Sequence, residues 1–434
     1  MRGLRSAWPG AACVFFAGAF AALSWAGETS SAPPLRIGTS GDYAPFSFDS
    51  DTTAEGIDGF DVVLARAFAE AEGRSLELVR FRWSELEAAL REGRFDIAMS
   101  GVTVRADRSL VGRFSLPVAE GGAVALVRDP ERFPDLAALE RGHPRIVVNA
   151  GGHLERIARE RFPNAQLEAL PDNAQVRRTL LEGRADAAVS DTFEAPEWRR
   201  GAGPLVALGP FSHDRKAPLV RADLTELADH LDLWLFAREA DGTLSELRRT
   251  WFADPHPAPT ATPLAALLAA ADERLALMPL VAEAKRRAGW PIRDEAQEAR
   301  VLDAAVRAVH EEAARAGIRQ RSEAAIRGVF QALIAAARDL ERGVLEAPQD
   351  ERIGELPSLD AALRPAIARI TPKIARALVR LDALPPADAL RRMVREELRA
   401  ANVGEEDARR FAEALSAYGA ESTPPRSAAQ PAAR

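Results

Sequence analysis

Residues 180–194 read Leu-Leu-Glu-Gly-Arg-Ala-Asp-Ala-Ala-Val-Ser-Asp-Thr-Phe-Glu, and they repeat an earlier stretch, residues 90–101, which reads LREGRFDIAMSG. Glu92, Gly93, Arg94, Asp96, Ala98 and Ser100 answer to Glu182, Gly183, Arg184, Asp186, Ala188 and Ser190, at a constant offset of ninety residues. Each copy reads as a polar helix end, a Gly suited to a C-cap, and a short apolar strand that ends in small polar residues. A helix-then-strand unit used twice predicts two α/β lobes. Ligands of open α/β sheets bind beyond the carboxyl ends of the strands. Ser100-Gly101-Val102-Thr103 and Ser190-Asp191-Thr192-Phe193-Glu194 are therefore expected to face each other across a cleft.

The chain has 434 residues, room for two or three domains, and 47% hydrophobic residues, enough for real cores. Its net charge of −7 argues against a nucleic-acid partner. Residues 1–26 read as a secretory signal: Arg2 and Arg5, an apolar run from Ala11 to Leu23, and a small-x-small site ending at Ala26. The only cysteine, Cys13, lies inside that run, so the mature chain is expected to lack disulfides and a lipid anchor, and to reside in the periplasm. The six histidines have no metal-ligand spacing. Of 57 basic Lys and Arg residues only Lys216, Lys285 and Lys373 are lysines, which marks them as positions where a compact ammonium is wanted.

From residue 27 to 254 strands and helices alternate. Strands are expected at Leu35–Thr39, Leu76–Phe81 and Arg145–Asn149, with helices from Phe60, from Trp83 to Arg91, and over Leu224–Phe252. Gly151-Gly152-His153 opens a further helix, whose free N–H groups suit an anion. Residues 255–263 are Pro-rich and read as a stiff extended linker. From 264 to about 420 strand signals vanish, and Leu, Ala, Arg and Glu recur at helical spacing, which predicts a separate all-α domain. Residues 421–434 read as a disordered tail.

Gly41-Asp42-Tyr43-Ala44-Pro45-Phe46-Ser47, Gly59-Phe60-Asp61, Asp96 to Gly101, Asn149-Ala150-Gly151-Gly152 and Pro171-Asp172-Asn173 stand in an order that resembles the type 2 periplasmic solute-binding fold. Asp191-Thr192-Phe193-Glu194-Ala195 is more specific and resembles the catalytic segment of cyclohexadienyl dehydratases. The resemblance covers residues 35–254. It implies Glu194 as the acid that protonates a leaving hydroxyl, with a pKa raised by burial or by Asp191. It implies Arg108 as the clamp on a substrate carboxylate, helped by Thr103, Ser100 and the Gly151-Gly152 amides. Lys216 would lie near the substrate, and Tyr43, Phe46 and Trp83 would form a ring pocket.

In the helical region Arg274 and Lys285 are eleven residues apart, about three turns, so both point one way and can converge on one anion. Pro279 is expected to bend the helix between them. Asp294, Gln297 and Glu298 share one face of the next helix. This order resembles the all-helical chorismate mutases, particularly the secreted class, over about 264–420. The resemblance implies that Arg274 binds a carboxylate, that Lys285 and Glu341 face the ether oxygen, that Asp294 and Glu298 approach the hydroxyl, and that Lys373 binds a second carboxylate. Gln297, where the family usually has Arg, and Ala337, where it often has Ser or Thr, are departures.

Together the two resemblances imply an exported bifunctional enzyme that turns chorismate into prephenate and prephenate into phenylpyruvate, with arogenate as a further dehydratase substrate. No metal or cofactor is implied. A homo-oligomer is one open option for its assembly. The alternative is an amino-acid or aromatic-acid binding protein fused to a mutase, with no dehydratase activity.

Overall fold

The computed structural model describes residues 32–254, 258–347, 356–398 and 401–421. The expected signal at 1–26 and residues 422–434 of the expected tail lie outside them, as do Pro255, His256 and Pro257 of the linker. Among the described residues no helix is long and apolar enough to cross a membrane.

Each copy of the repeat builds one lobe. In the first, Leu76–Arg80, Leu35–Thr39 and Ile97–Ala98 run parallel, and Leu219–Arg221 joins antiparallel and pairs in turn with Gly112–Phe114. In the second, Gln166–Leu170, Arg145–Asn149 and Ala187–Asp191 run parallel, with Ala123–Val127 antiparallel beside them and Val206–Leu208 at the edge.

The repeated residues explain this symmetry. Gly93 and Gly183 end their helices at φ +72° and +77°, a conformation that favours glycine. Asp96 then accepts from the Arg36 backbone N–H at 3.2 Å and its guanidinium at 2.7 Å. Asp186 does the same with Arg145, at 2.9 and 3.0 Å. The motif thus ties each lobe's third strand to its first.

The lobes are linked by the antiparallel strands Ala119–Gly121 and Asp214–Lys216. They lie close together: Asn173 Nδ2 donates to the Asp42 carbonyl across the gap at 3.2 Å.

The second half of the chain is helical over Pro263–Ala276, Met278–Ala288, Glu295–Ala316, Glu323–Glu346, Arg364–Val379, Ala387–Glu397 and Glu405–Ala420. Thr262, Asp294 and Ser322 cap three of these helices through their side chains, and Gly289 and Gly317 end two in the left-handed conformation. Pro279 does more than bend the chain: the helix stops at Leu277 and restarts at Met278, because proline has no N–H to donate and its ring crowds the preceding turn.

This half is not a bead on a string. Leu64, Phe68 and Leu235 of the first lobe share one continuous core with Leu267, Leu333 and Ile374 of the helices. The end of the expected linker is also packed down. Thr260 Oγ1 donates to the Pro117 carbonyl at 2.8 Å, and the Ala261 N–H donates to Glu239 at 3.0 Å. A buried network crosses the junction: fully buried Asp232 accepts from Arg113 and Arg376, both at 2.7 Å, and from Ser115 at 2.6 Å. Removing one partner from such a network strands a buried charge, at a cost of roughly 3–5 kcal/mol.

Candidate active sites

Between the lobes lies a cleft with about 380 Å³ of open space, lined among others by Tyr43, Trp83, Thr103, Arg108, Gly152, His153 and Lys216. Arg108 sits in the short helix Ala106–Val111 and is 1% exposed. One of its nitrogens donates to the Thr103 carbonyl at 3.1 Å, while Nε has no partner. Among the described residues no carboxylate is within ion-pair distance of it. Burial, and secondly the charge of Arg105, push its pKa down to about 9. A buried guanidinium with spare donors is ready for an anion.

Lys216 joins the two stretches that the repeat placed opposite each other. Its Nζ donates to Thr103 Oγ1 at 2.9 Å and lies 3.2 Å from Asp191 Oδ2. Asp191 also accepts from the Tyr43 hydroxyl and from the N–H groups of Phe193 and Glu194. Glu194 is 2% exposed and accepts from Ser190 Oγ at 2.8 Å. Burial, and then the charge of Asp191, hold its pKa well above the usual carboxylate range. It does not itself line the open space. It is connected to the wall residues Tyr43 and Lys216 through Asp191.

Three other expected contacts do not line the open space. Phe46 is fully buried and backs Tyr43, with ring centroids 5.2 Å apart. Ser100 is bonded to Ser40 at 2.8 Å. The Gly151 N–H is already taken by Glu155 at 2.7 Å, so only Gly152 of that pair lines the cleft. The sequence reading missed His153, whose Nε2 lies 2.9 Å from Asp214 Oδ1 while its buried Nδ1 has no partner. Burial lowers the His153 pKa. No spacing rule pairs residues 153 and 214; the only signal was that His153 follows the Gly-Gly helix start.

The helical domain has its own cavity, with about 1140 Å³ of open space. It gathers Arg274, Lys285, Asp294, Gln297, Glu298, Ala337 and Glu341, from four helices or their caps. Arg274 is 6% exposed, and its Nε and one terminal nitrogen have no partner among the described residues. Burial pushes its pKa down to about 10. Lys285 Nζ donates to Glu341 at 2.6 Å and to the Ile292 carbonyl at 2.8 Å. Burial raises the Glu341 pKa, although Lys285 draws it back. Asp294 caps its helix by accepting from the Gln297 N–H at 2.9 Å. The Gln297 carbonyl oxygen accepts from Arg300 at 2.6 Å, and Glu298 lies 3.7 Å from Arg338.

Lys373 is a correction. It lies outside this cavity, 3% exposed, with Nζ donating to Glu273 at 2.6 Å. Helix geometry is the reason: Arg364, Ile367, Ala368 and Thr371 line the cavity at helical spacing. A residue two past Thr371 points to about the opposite side. The cavity's further cations are Arg300, Arg338 and Arg364, which the sequence reading did not single out.

A two-lobed α/β domain with a cationic cleft, fused to a helical domain with a second cationic cavity, defines a solute-binding fold extended by a helical module. Residues 35–254 match the bacterial extracellular solute-binding proteins, family 3, and the chain belongs to that family. Residues 265–342 match chorismate mutase type II. The chain is 33% identical over 222 residues to cyclohexadienyl dehydratase of Pseudomonas aeruginosa, covering 50% of this chain and 82% of that one. It is 26% identical over 220 residues to the L-cystine-binding protein TcyJ of Escherichia coli, with the same coverage of 50% and 82%. Among solved structures, an ancestral amino acid-binding protein that is a precursor of cyclohexadienyl dehydratase is 32% identical, covers 50% of this chain and 95% of its own, and has a TM-score of 0.48. A homologue of cyclohexadienyl dehydratase is thus fused to a chorismate mutase domain.

Proposed function

We propose that the protein is an exported bifunctional enzyme. Its helical domain rearranges chorismate to prephenate, and its two-lobed domain converts prephenate to phenylpyruvate, with arogenate to phenylalanine as a second reaction of the same cleft. The observation that carries this reading is the buried Glu194 carboxyl, held above the usual range next to Asp191, which pairs with Lys216 of the cleft wall. A protein that only captures a solute has no use for an acid there. Export to the periplasm rests on the signal-like residues 1–26 and on the extracellular family.

In the cleft, Arg108 takes one substrate carboxylate with its free donors. Glu194 then gives its proton to the leaving ring hydroxyl. The bond to the ring carboxylate breaks, its electron pair becomes a ring π bond, and the C–O bond breaks, so CO₂ and water leave together. Tyr43 and Trp83 supply aromatic faces of the adjacent wall for the substrate ring.

In the helical cavity no proton needs to move. Arg274 anchors a carboxylate and holds the substrate in its compact conformer. Lys285, with Glu341 beside it, donates to the ether oxygen as negative charge grows there. Asp294 and Glu298 receive the substrate hydroxyl, and Arg300, Arg338 and Arg364 supply the remaining positive charge.

The test is to give chorismate, and separately prephenate, to the purified full chain and follow absorbance. Chorismate loss with phenylpyruvate formation is the expected result. Accumulation of prephenate would refute the dehydratase, and untouched chorismate with prephenate consumed would refute the mutase.

A further inference from the structure

The helix Ala106–Val111 carries Arg108, yet it has only six residues and no side-chain cap. A helix this short does not hold itself together in water. Its first half is held from within the lobe, where Arg105 is bonded to Asp107 and Glu87. Its second half is held from the helical domain. Arg369 donates to the Ser109 and Leu110 carbonyls at 3.0 and 3.2 Å, which satisfies free carbonyls at the helix end. Ser109 Oγ donates to Glu273 at 2.9 Å, and Glu273 is itself fixed by Lys373. Glu273 is 4% exposed, and it immediately precedes Arg274, just as Arg108 immediately precedes Ser109.

We infer that Arg369 and Glu273, which belong to the helical domain, are positioning residues for the Arg108 anion anchor of the cleft. The inference rests on the proposed function only in naming the anion as the dehydratase substrate. The helical domain then has two tasks: it holds its own cavity, and it completes the cleft's carboxylate clamp from outside. Arg108 would keep its charge without these contacts but lose its aim, and misplacing a positioning group by about 1 Å costs up to about a hundredfold. The loss should appear in substrate binding, because the acid at Glu194 lies on the other lobe.

The test uses the full chain with Arg369→Ala, Arg369→Lys and Ser109→Ala. For Arg369→Ala, KM for prephenate should rise about ten- to hundredfold with kcat nearly unchanged. Arg369→Lys should recover part of the loss, and Ser109→Ala should show a smaller rise of the same kind. KM and kcat for chorismate should stay at wild-type values. An unchanged KM for prephenate overturns the inference. So does a parallel loss of both activities with a lowered unfolding temperature, which would mean that these contacts only hold the scaffold. Prephenate affinity measured by calorimetry reads the same positioning without turnover. A chain that binds prephenate but never dehydrates it would refute the proposed function, while the Arg369→Ala affinity would still decide this inference.

Discussion

The backbone N–H of Glu194 donates to Asp191 Oδ1 at 3.0 Å, so two buried carboxyl groups share one turn at the end of strand Ala187–Asp191. Their surroundings divide the work. Asp191 has Lys216 and the Tyr43 hydroxyl as partners. The Glu194 carboxyl accepts from the Ser190 hydroxyl, and burial and then the charge of Asp191 hold its pKa well above the usual range.

Dehydratase kcat should therefore fall as pH rises, since a carboxyl with a raised pKa loses its proton only above the usual range. Glu194→Gln cannot give a proton, and should lower dehydratase kcat by about 10²–10⁴ while leaving the mutase unchanged. Prephenate should then accumulate from chorismate. Linkage has the same sign: the folded state holds the Glu194 proton more tightly, so the stability it contributes is lost as pH rises through the folded pKa. Urea melts at pH 6 and pH 9 would check this.

Arg274 is a buried charge without a counter-ion among the described residues, and such groups are costly when no ligand is present. Arg274→Met should abolish mutase turnover and at the same time stabilise the empty protein by about 1 kcal/mol or more. Thermal melts of both proteins, paired with chorismate assays, test this trade of stability for activity. A variant both less active and less stable would count against an anion-binding role.

Glu341 can donate to an ether oxygen only when protonated, and burial raises its pKa. Mutase kcat should decline as pH rises through the Glu341 pKa. Glu341→Gln donates at every pH, so the decline should vanish in that variant. A pH–rate profile of the two proteins from pH 5 to pH 9 reads the difference directly.

Gly151 has φ +74°, and a Cβ placed there would come 2.8 Å from the Ser84 Cα on the opposite lobe. Gly151→Ala should keep the lobes from closing, at a backbone cost of about 1–2 kcal/mol. Dehydratase kcat/KM should fall about a hundredfold, with mutase rates unaffected. Small-angle scattering should show a more open molecule than wild type.

Much of the architecture was legible because it is local. In E-G-R-x-D the glycine sets a left-handed helix end and the aspartate receives the first strand, so two copies announced two lobes. Arg274, Lys285 and Glu341 were legible from motif order; the single-helix spacing expected for the first two does not hold, because the helix breaks at Leu277 between them. Phe46, Ser100 and Gly151 were placed on the correct segments, but sequence spacing does not tell which residues of a segment reach the open space.

The amino-acid sequence by itself determined the two folds, their order along the chain, and Arg108, Lys216, Arg274 and Lys285 among the cations of the two cavities, since short-range backbone preferences and motif order encode these. The tertiary structure alone decided what Lys373 does, that His153 meets Asp214, and that the helical domain shares a core with the first lobe. In each case the partner lies far along the chain, as with Lys373 and Glu273 a hundred residues apart. Only packing helices Pro263–Ala276 and Arg364–Val379 against each other makes such a contact, because a buried charge takes whichever opposite charge the fold brings within reach.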